Sequence, residues 1–169
     1  MNESEGSERA IVIFDSKFGN TGDIAKSLAG GLQRAGLRVD CLNMRDVKLE
    51  TLGEYDLIAV GAPTQAFSAS KPMKDFLQKL EGNRILAKKL GFAFDTKLGS
   101  RLSGSASKFI ESRLSKLGMR IVRPRQSAIV KGSEGPLKEG EPELFNRLGF
   151  EIGTEMLKTS GENLGDKRQ

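Results

Sequence analysis

The chain has 169 residues, a formal net charge of +5 at pH 7, one cysteine and no histidine, so an internal disulfide is excluded and histidine-based catalytic triads and metal sites are disfavoured. Since 37% of the residues are hydrophobic and no low-complexity tract divides them, we expect one domain over residues 1–169, with its core at about 9–158 between polar termini. No segment approaches the roughly 18 apolar residues of a membrane helix, and no apolar region of the kind found in signal peptides follows the polar N-terminus, so the expected location is the cytoplasm.

The first buried strand is predicted at residues 10–14, a short apolar run that is typical of a strand covered on both faces. A polar turn follows, and apolar residues then recur at helical spacing until Gly36. The first turn of a helix has unpaired N–H groups and partial positive charge, so this corner suits an anion. The alternative is that Asn20 or Thr21 only caps the helix.

The next elements are predicted to be an edge strand, a short connection and a second buried strand. Residues 37–44 alternate apolar and polar side chains, and residues 45–54 are expected to form one or two helical turns. The second buried strand is predicted at residues 56–61, with Pro63 ending its ladder. The following helix is expected to begin near Lys71.

The second half of the chain repeats this alternation. A third buried strand is predicted at residues 90–94, and a helix from 106 to 118. The last strand material lies within 119–130, where Pro124 interrupts the ladder. A final amphipathic helix over 144–156 precedes a polar tail that we expect to be frayed from residue 160 onward.

Alternating strands and helices require a parallel sheet with right-handed crossovers and helices on both faces. We therefore predict an α/β fold, a three-layer α-β-α sandwich with a five-stranded parallel sheet of order 2-1-3-4-5. Ligands bind such sheets outside the carboxyl ends of the strands, where the strand order reverses. The loops richest in Gly, Ser, Thr and Asn follow strands one, three and four, which are adjacent on one side of that point.

Two of these loops resemble those of the flavodoxin family, of the short kind that lacks a long insertion in the fifth strand. Residues 16–21, SKFGNT, are similar to the family's flavin-phosphate loop, (T/S)-x-(T/S)-G-N-T, at four of its defining positions. Residues 61–64, GAPT, are similar to the G-(S/T/A)-P-T segment that opens the loop contacting the isoalloxazine ring. The resemblance extends over about residues 9–156.

The resemblance implies bound FMN and electron transfer between redox proteins, with no catalytic side chain and no metal. FMN is expected rather than FAD, because no second site for a diphosphate and adenosine is visible. The implied cofactor-binding residues come from the three loops. They are Ser16, Lys17, Phe18, Gly19, Asn20 and Thr21 around the phosphate, then Pro63, Thr64, Gln65, Ala66 and Phe67, and finally Thr96, Lys97, Gly99 and Ser100 around the ring.

The chain departs from the family pattern in its aromatic residues and its charge. Phe18 replaces the middle hydroxyl of the phosphate loop, and there is no Trp to stack on the ring. Tyr55 precedes strand three, at the wrong end, so Phe67 is the better candidate for a ring contact, with a place in the core as its alternative. Typical flavodoxins are acidic, whereas this sequence has a pI near 9.4.

The positive charge is concentrated in residues 84–131, which hold twelve Lys or Arg and two acidic residues, a local balance of +10. Solvated helix faces, an acidic protein partner or nucleic acid would each explain it. No aromatic residues interleave with this charge, so nucleic acid is disfavoured. We expect acidic redox partners, no membrane contact, and a monomer or weak dimer. Lys97 and Arg101 are expected to raise the potential of the last one-electron reduction of FMN.

Several other functions compete with an electron carrier. A phosphoacceptor receiver domain fits Asp15 but lacks an aspartate after strand three, and neither a triphosphate nor a dinucleotide motif follows strand one. A small FMN-dependent NAD(P)H:quinone-type reductase stays open. So does a cofactor-free scaffold of the same fold that binds an acidic partner.

Overall fold

Four α-helices and seven strands make up the part of the chain that the computed structural model describes, residues 8–166. The helices are α1 Asn20–Ala35, α2 Lys71–Lys79, α3 Ala106–Lys116 and α4 Glu141–Asp166. The strands are β1 Arg9–Phe14, β2 Arg38–Asn43, β3 Leu57–Gln65, β4 Ser68–Ala69, β5 Leu90–Leu98, β6 Arg120–Ile121 and β7 Gln126–Val130. Short 3-10 helices cover Met44–Asp46 and Leu49–Glu54, in agreement with the predicted connection.

The central sheet is parallel and has the order β2-β1-β3-β5, with β6 and β7 both pairing with the far side of β5. The predicted fold class and strand order are therefore confirmed, with the predicted fifth strand present as two pieces. Pro124 lies in the gap between the pieces, where it has no ladder bond to interrupt. The short strand β4 is antiparallel to β3 and was not predicted.

Side chains of the sheet alternate between two apolar layers. Ile11 and Ile13 of β1 pack in the cluster beneath α2 and α3, whereas Ala10 and Val12 pack in the cluster beneath α1 and α4. The two layers cover both faces of β1, which explains why its sequence is apolar without interruption. The first turns of α1, α2 and α3 all lie at the carboxyl ends of the strands.

The prediction that Pro63 ends the third strand was wrong, because β3 continues to Gln65 and Pro63 pairs with Thr96 of β5. The carbonyl of Gly61 faces β1, since it accepts the N–H of Asp15 at 3.0 Å. Alternate residues of a strand point their peptide groups the same way, so the nitrogen of Pro63 also faces the β1 side. Strand β1 has already ended there, and the missing N–H costs no ladder bond.

The last helix is longer than predicted. The tail was expected to fray from Ser160, yet α4 continues to Asp166, so that expectation was wrong for residues 160–166. The Ser160 hydroxyl donates to Glu8 at 2.6 Å and ties this end of the helix to the start of β1. The polar N-terminal segment 1–7 and residues 167–169 lie outside the described residues. Within residues 8–166, none of the helices combines the length and the apolar character of a transmembrane span.

Candidate functional site

A cavity of about 440 Å³ lies at the carboxyl ends of β1, β3, β5 and β7, where the sequence predicted the site. Ten of the fifteen predicted residues line it, together with four that were not predicted. The lining consists of Ser16, Lys17, Phe18, Asn20, Thr21, Pro63, Thr64, Gln65, Thr96, Lys97, Leu98, Val130, Ser133 and Glu134.

A larger cavity, of about 660 Å³, lies at the opposite end of the sheet. Its walls are the residues that lead into β5 and β6 and the last turns of α4. Ligands of open parallel sheets bind at the carboxyl ends of the strands, next to the first turns of helices. The smaller cavity is therefore the candidate site, because it lies at the carboxyl ends of the strands.

Ser16 shapes the corner between β1 and α1. Its Oγ accepts the N–H groups of Gly19 at 3.1 Å and Gly22 at 3.2 Å, which folds the turn around the side chain. Gly19 is the N-cap residue of α1 and has a left-handed φ of 93°, which favours glycine. A Cβ atom at Gly19 would meet nothing within 4 Å, so conformation rather than space requires glycine there. Gly19 itself lies outside the cavity lining.

The corner contains N–H groups that have no partner within the described part of the protein. Among residues 8–166, those of Lys17, Phe18, Asn20 and Thr21 have no hydrogen-bond acceptor. Donors at a helix N-terminus with no internal partner are suited to a phosphate group. The buried Thr21 hydroxyl lies 2.8 Å from that of Thr96, and either group is able to donate. The donor set therefore fits the phosphate of FMN, and the individual contacts stay predictions.

The loop after β3, which is predicted to contact the flavin ring, is a tight hairpin between β3 and β4. Its two turn residues, Ala66 and Phe67, both have positive φ, 46° and 68°, which is the pattern of a type I′ turn. Such turns usually contain Asn or Gly, so the positive φ angles of these two residues are strained. A strained turn persists only where the surrounding structure holds it. The carbonyl of Phe67 accepts the N–H of Ser105 at 3.3 Å, and a Cβ atom at Gly104 would lie 2.3 Å from that oxygen. The loop before α3 therefore fixes the turn.

Phe67 is 71% exposed, so the alternative that it belongs to the core is wrong. Phe18, which is 49% exposed, and Leu98 line the cavity, while Phe67 and Leu102 lie in the loops that follow β3 and β5. We call these four exposed side chains the apolar rim. Neither Ala66 nor Phe67 is part of the cavity lining.

The hydroxyl of Thr64 is used within the protein. It donates to Oδ2 of Asp95 at 3.3 Å and accepts the N–H of Ala106 at 3.0 Å. The same oxygen of Asp95 also accepts the hydroxyl of Ser105 and the N–H of Ser107, each at 2.8 Å. Asp95 is fully buried and was not among the predicted site residues. A charged residue directly after an apolar strand run was the signal that could have found it.

Gly99 and Ser100 also lie outside the cavity lining. The Ser100 Oγ accepts the N–H of Leu102 at 3.1 Å and thus begins the 3-10 turn Arg101–Ser103. A Cβ atom at Gly99 would lie 3.6 Å from the side chain of Ile129, on the β7 side. Both residues shape the loop after β5, and a contact with the ring stays a prediction.

The loop between β7 and α4 supplies a wall that the sequence did not predict. Ser133 and Glu134 line the cavity, and the Asn20 side-chain amide donates to the carbonyl of Glu134 at 3.0 Å. Val130, at the end of β7, and Leu98 complete this side. The only sequence signal was a turn-rich composition, which does not indicate where the loop lies.

Comparisons with known proteins agree with this geometry. The flavodoxin family model matches residues 12–157. The chain is 30% identical over 141 residues to the type A flavoprotein fprA of Rhodobacter capsulatus, covering 80% of this chain and 32% of that protein. It is 27% identical over 140 residues to NAD(P)H dehydrogenase (quinone) 3 of Rhizobium meliloti, covering 68% of this chain and 65% of that protein. The chain thus spans less than two thirds of either relative.

Solved structures show the same architecture. A flavodoxin from the domain Archaea has a TM-score of 0.76 and 27% identity, with 87% of this chain and 97% of that chain covered. Oxidised flavodoxin 1 from Bacillus cereus has a TM-score of 0.73 and 20% identity, with 86% and 97% covered. The family model covers most of the chain and the corner fits a phosphate. We conclude that this protein belongs to the flavodoxin family, whose cofactor is FMN, which confirms the predicted family and cofactor.

Proposed function

We propose that this protein is a cytoplasmic electron carrier that transfers electrons between redox proteins through bound FMN. The observation that carries the proposal is the apolar rim, whose four exposed side chains either line the cavity or lie in the loops that follow the strands ending there. Large apolar side chains grouped on a surface mark sites of protein contact. A carrier needs such a surface beside its cofactor, because electrons must pass to a second protein that docks there.

The residues at the corner and at the strand ends would hold FMN, which supplies one-electron and two-electron transfer when bound. The unpaired N–H groups of residues 17, 18, 20 and 21 would bind its phosphate. Backbone groups of Pro63, Thr64 and Gln65 would orient the ring on one side, since the Thr64 hydroxyl is already used. Thr96 and Lys97 would face it from β5.

A small FMN-dependent NAD(P)H:quinone-type reductase is the second candidate. The similarity to NAD(P)H dehydrogenase (quinone) 3 of Rhizobium meliloti favours it. Such an enzyme needs a second pocket over the flavin for the nicotinamide. The sequence contains no second nucleotide motif, and so we favour the carrier.

Anaerobic mixing of the FMN-loaded protein with NADH or NADPH separates the two candidates. A carrier should keep its yellow absorbance with the nicotinamide alone and lose it when a one-electron donor protein is also present. Bleaching by the nicotinamide alone, followed by reoxidation with a quinone, would instead assign the reductase. If the protein binds no FMN, both the carrier and the reductase are wrong, and the cofactor-free scaffold that binds an acidic partner is the remaining candidate.

Phe67→Ala is expected to increase the fluorescence of bound FMN and to change its absorption spectrum. An aromatic side chain beside the ring quenches the flavin, and its removal also exposes the ring to water. Phe150→Ala is the matched control, because Phe150 is a half-exposed aromatic residue on α4, away from the cavity. Unchanged spectra in Phe67→Ala would show that this side chain contacts no flavin.

The cations of the basic segment, residues 84–131, differ in whether they form ion pairs. Arg113, Arg123 and Arg125 form ion pairs with nearby glutamates, so this part is a solvated surface. Lys97 and Arg101 form no ion pair among residues 8–166. We therefore propose that an acidic partner docks on the apolar rim beside Lys97 and Arg101.

Lys97→Glu and Arg101→Glu should each lower the potential of the last one-electron reduction of FMN and weaken binding of an acidic partner. A unit charge at ~10 Å contributes about 1.7 kcal/mol at an effective dielectric of 20. Lys97 lines the cavity, whereas Arg101 is exposed and more screened, so Lys97→Glu should shift the potential further. Lys116→Glu, from the same basic segment, is the control. An unchanged or raised potential would show that Lys97 and Arg101 do not act on the flavin and belong to the solvated surface.

A further inference from the structure

The larger cavity, at the amino ends of β5 and β6, has an apolar wall. Its volume of about 660 Å³ lies within the roughly 300–1,000 Å³ that is typical of small-molecule sites. The wall is formed by Ile85, Leu90, Ile121, Val122, Ile152 and Met156. Ile152 and Met156 are buried, whereas Ile85 is 58% exposed. A concave apolar surface that is open to solvent at one side is suited to a ligand with an apolar body.

Two exposed cations line this cavity and have no acidic partner in the described part of the chain. Among residues 8–166, neither Lys88 nor Arg120 takes part in an ion pair. The third cation of the lining, Lys89, is used within the protein. Its Nζ donates to the carbonyls of Gly53 at 2.9 Å and Tyr55 at 2.6 Å. Lys88 and Arg120 are therefore available to an anion.

The acidic side chains of the cavity each accept a hydrogen bond or an ion pair from the protein. Glu8 accepts the Ser160 hydroxyl at 2.6 Å, and Asp56 accepts the first N–H of β1 at 2.8 Å. Glu155 forms an ion pair with Arg123. Every acid of the lining is thus engaged by a donor, and the ionic groups of the described lining that have no partner are both cations.

The backbone of Lys88 is strained at this position. Its φ is 71°, a left-handed value that favours glycine, and its N–H donates to the carbonyl of Gly118 at 2.8 Å. Strain of this kind is concentrated at ligand sites and active sites. Glycine would relieve the strain but would remove the ammonium group from the cavity. The presence of lysine therefore indicates that the side chain, and not the turn, determines the residue type here.

We propose that the larger cavity binds an amphipathic anion, a carboxylate with an apolar chain of medium length. The chain would lie on the apolar wall, where each methylene is removed from water. The carboxylate would pair with Lys88 and Arg120, since a guanidinium group binds a carboxylate through two parallel N–H groups. This site and the proposed FMN site lie at opposite ends of the sheet. The inference therefore does not rest on the proposed function.

The test is an NMR titration of the FMN-loaded protein with sodium decanoate, in which the flavin occupies the other cavity. Decanoate should shift the amide signals of Ile121 and Val122. Lys88→Glu and Arg120→Glu should each weaken its binding about tenfold. Lys116→Glu is the matched control, because Lys116 is an exposed lysine of the same basic segment outside this cavity. Octanoate should bind more weakly by about fourfold for each methylene removed.

Lys88→Gly separates binding from a structural role. It should leave stability unchanged or raise it, because glycine adopts the left-handed backbone without strain, and it should still weaken decanoate binding. Wild-type affinity in both glutamate variants, or equal affinity for decanoate and decylamine, would overturn the proposal. Binding that appears only when residues 1–7 are deleted would also overturn it, since the cavity would then belong to that segment. If the protein binds no FMN, the proposed function fails, and the same titration of the unloaded protein still tests this site.

Discussion

Ser16→Ala combined with Thr21→Val is expected to weaken FMN binding by about two to four orders of magnitude. Each hydrogen bond to a charged phosphate contributes about 1.5 to 3 kcal/mol, and about 1.4 kcal/mol corresponds to a factor of ten. The Ser16 change also leaves the N–H groups of Gly19 and Gly22 without their acceptor, so the corner loses its shape as well as a donor. The apolar core is untouched, so the fold should stay intact, but the thermal transition should fall modestly because the buried Thr96 hydroxyl loses its partner.

Titrating the same double variant with riboflavin isolates the phosphate. Riboflavin lacks that group, so its affinity should be nearly the same in the variant and the wild type. Ser112→Ala, on the exposed face of α3, serves as a control for serine removal in general. If the double variant binds FMN with wild-type affinity, the phosphate lies elsewhere and the assignment of the corner is wrong.

Gly31→Ala should lower the free energy of unfolding by about 3 kcal/mol, at the upper end of the usual cost of overpacking. Gly31 lies where α1 crosses α4, and a Cβ atom there would be 1.9 Å from the backbone oxygen of Asn146. The obstacle is backbone, which does not rotate away as a side chain does, so the helices must separate. Gly149→Ala, on the other helix, should behave alike, since its Cβ atom would lie 2.2 Å from the oxygen of Leu28.

Chemical denaturation measures these changes, and α4 itself supplies the control. Gly161→Ala adds a Cβ atom that meets nothing within 4 Å. It should raise stability by up to about 1 kcal/mol, because Ala is a better helix former than Gly. A loss of less than about 1 kcal/mol in Gly31→Ala would mean that α1 and α4 do not pack as closely as described.

The sequence by itself determined the fold and the place of the site. Short apolar runs at residues 10–14 and 90–94 predicted strands covered on both faces, because a strand buried between two helix layers has no polar side. The polar corner at residues 16–21 was equally visible, since the left-handed Gly19 and the unpaired first turn of α1 depend only on neighbours in the chain. The sequence was sufficient for these features, because their causes lie in neighbouring residues of the chain.

Only the tertiary structure decided which residues meet at the cavity. Pro63 stays in β3 because β1 has already ended beside it, which depends on a different strand. Phe67 is exposed because the loop before α3 holds its turn in a conformation that its sequence does not favour. Asn20 and Glu134 lie 114 residues apart, and their contact depends on where the loop after β7 lies relative to α1. Such pairings depend on how the layers assemble, and residue spacing along the chain does not contain that information.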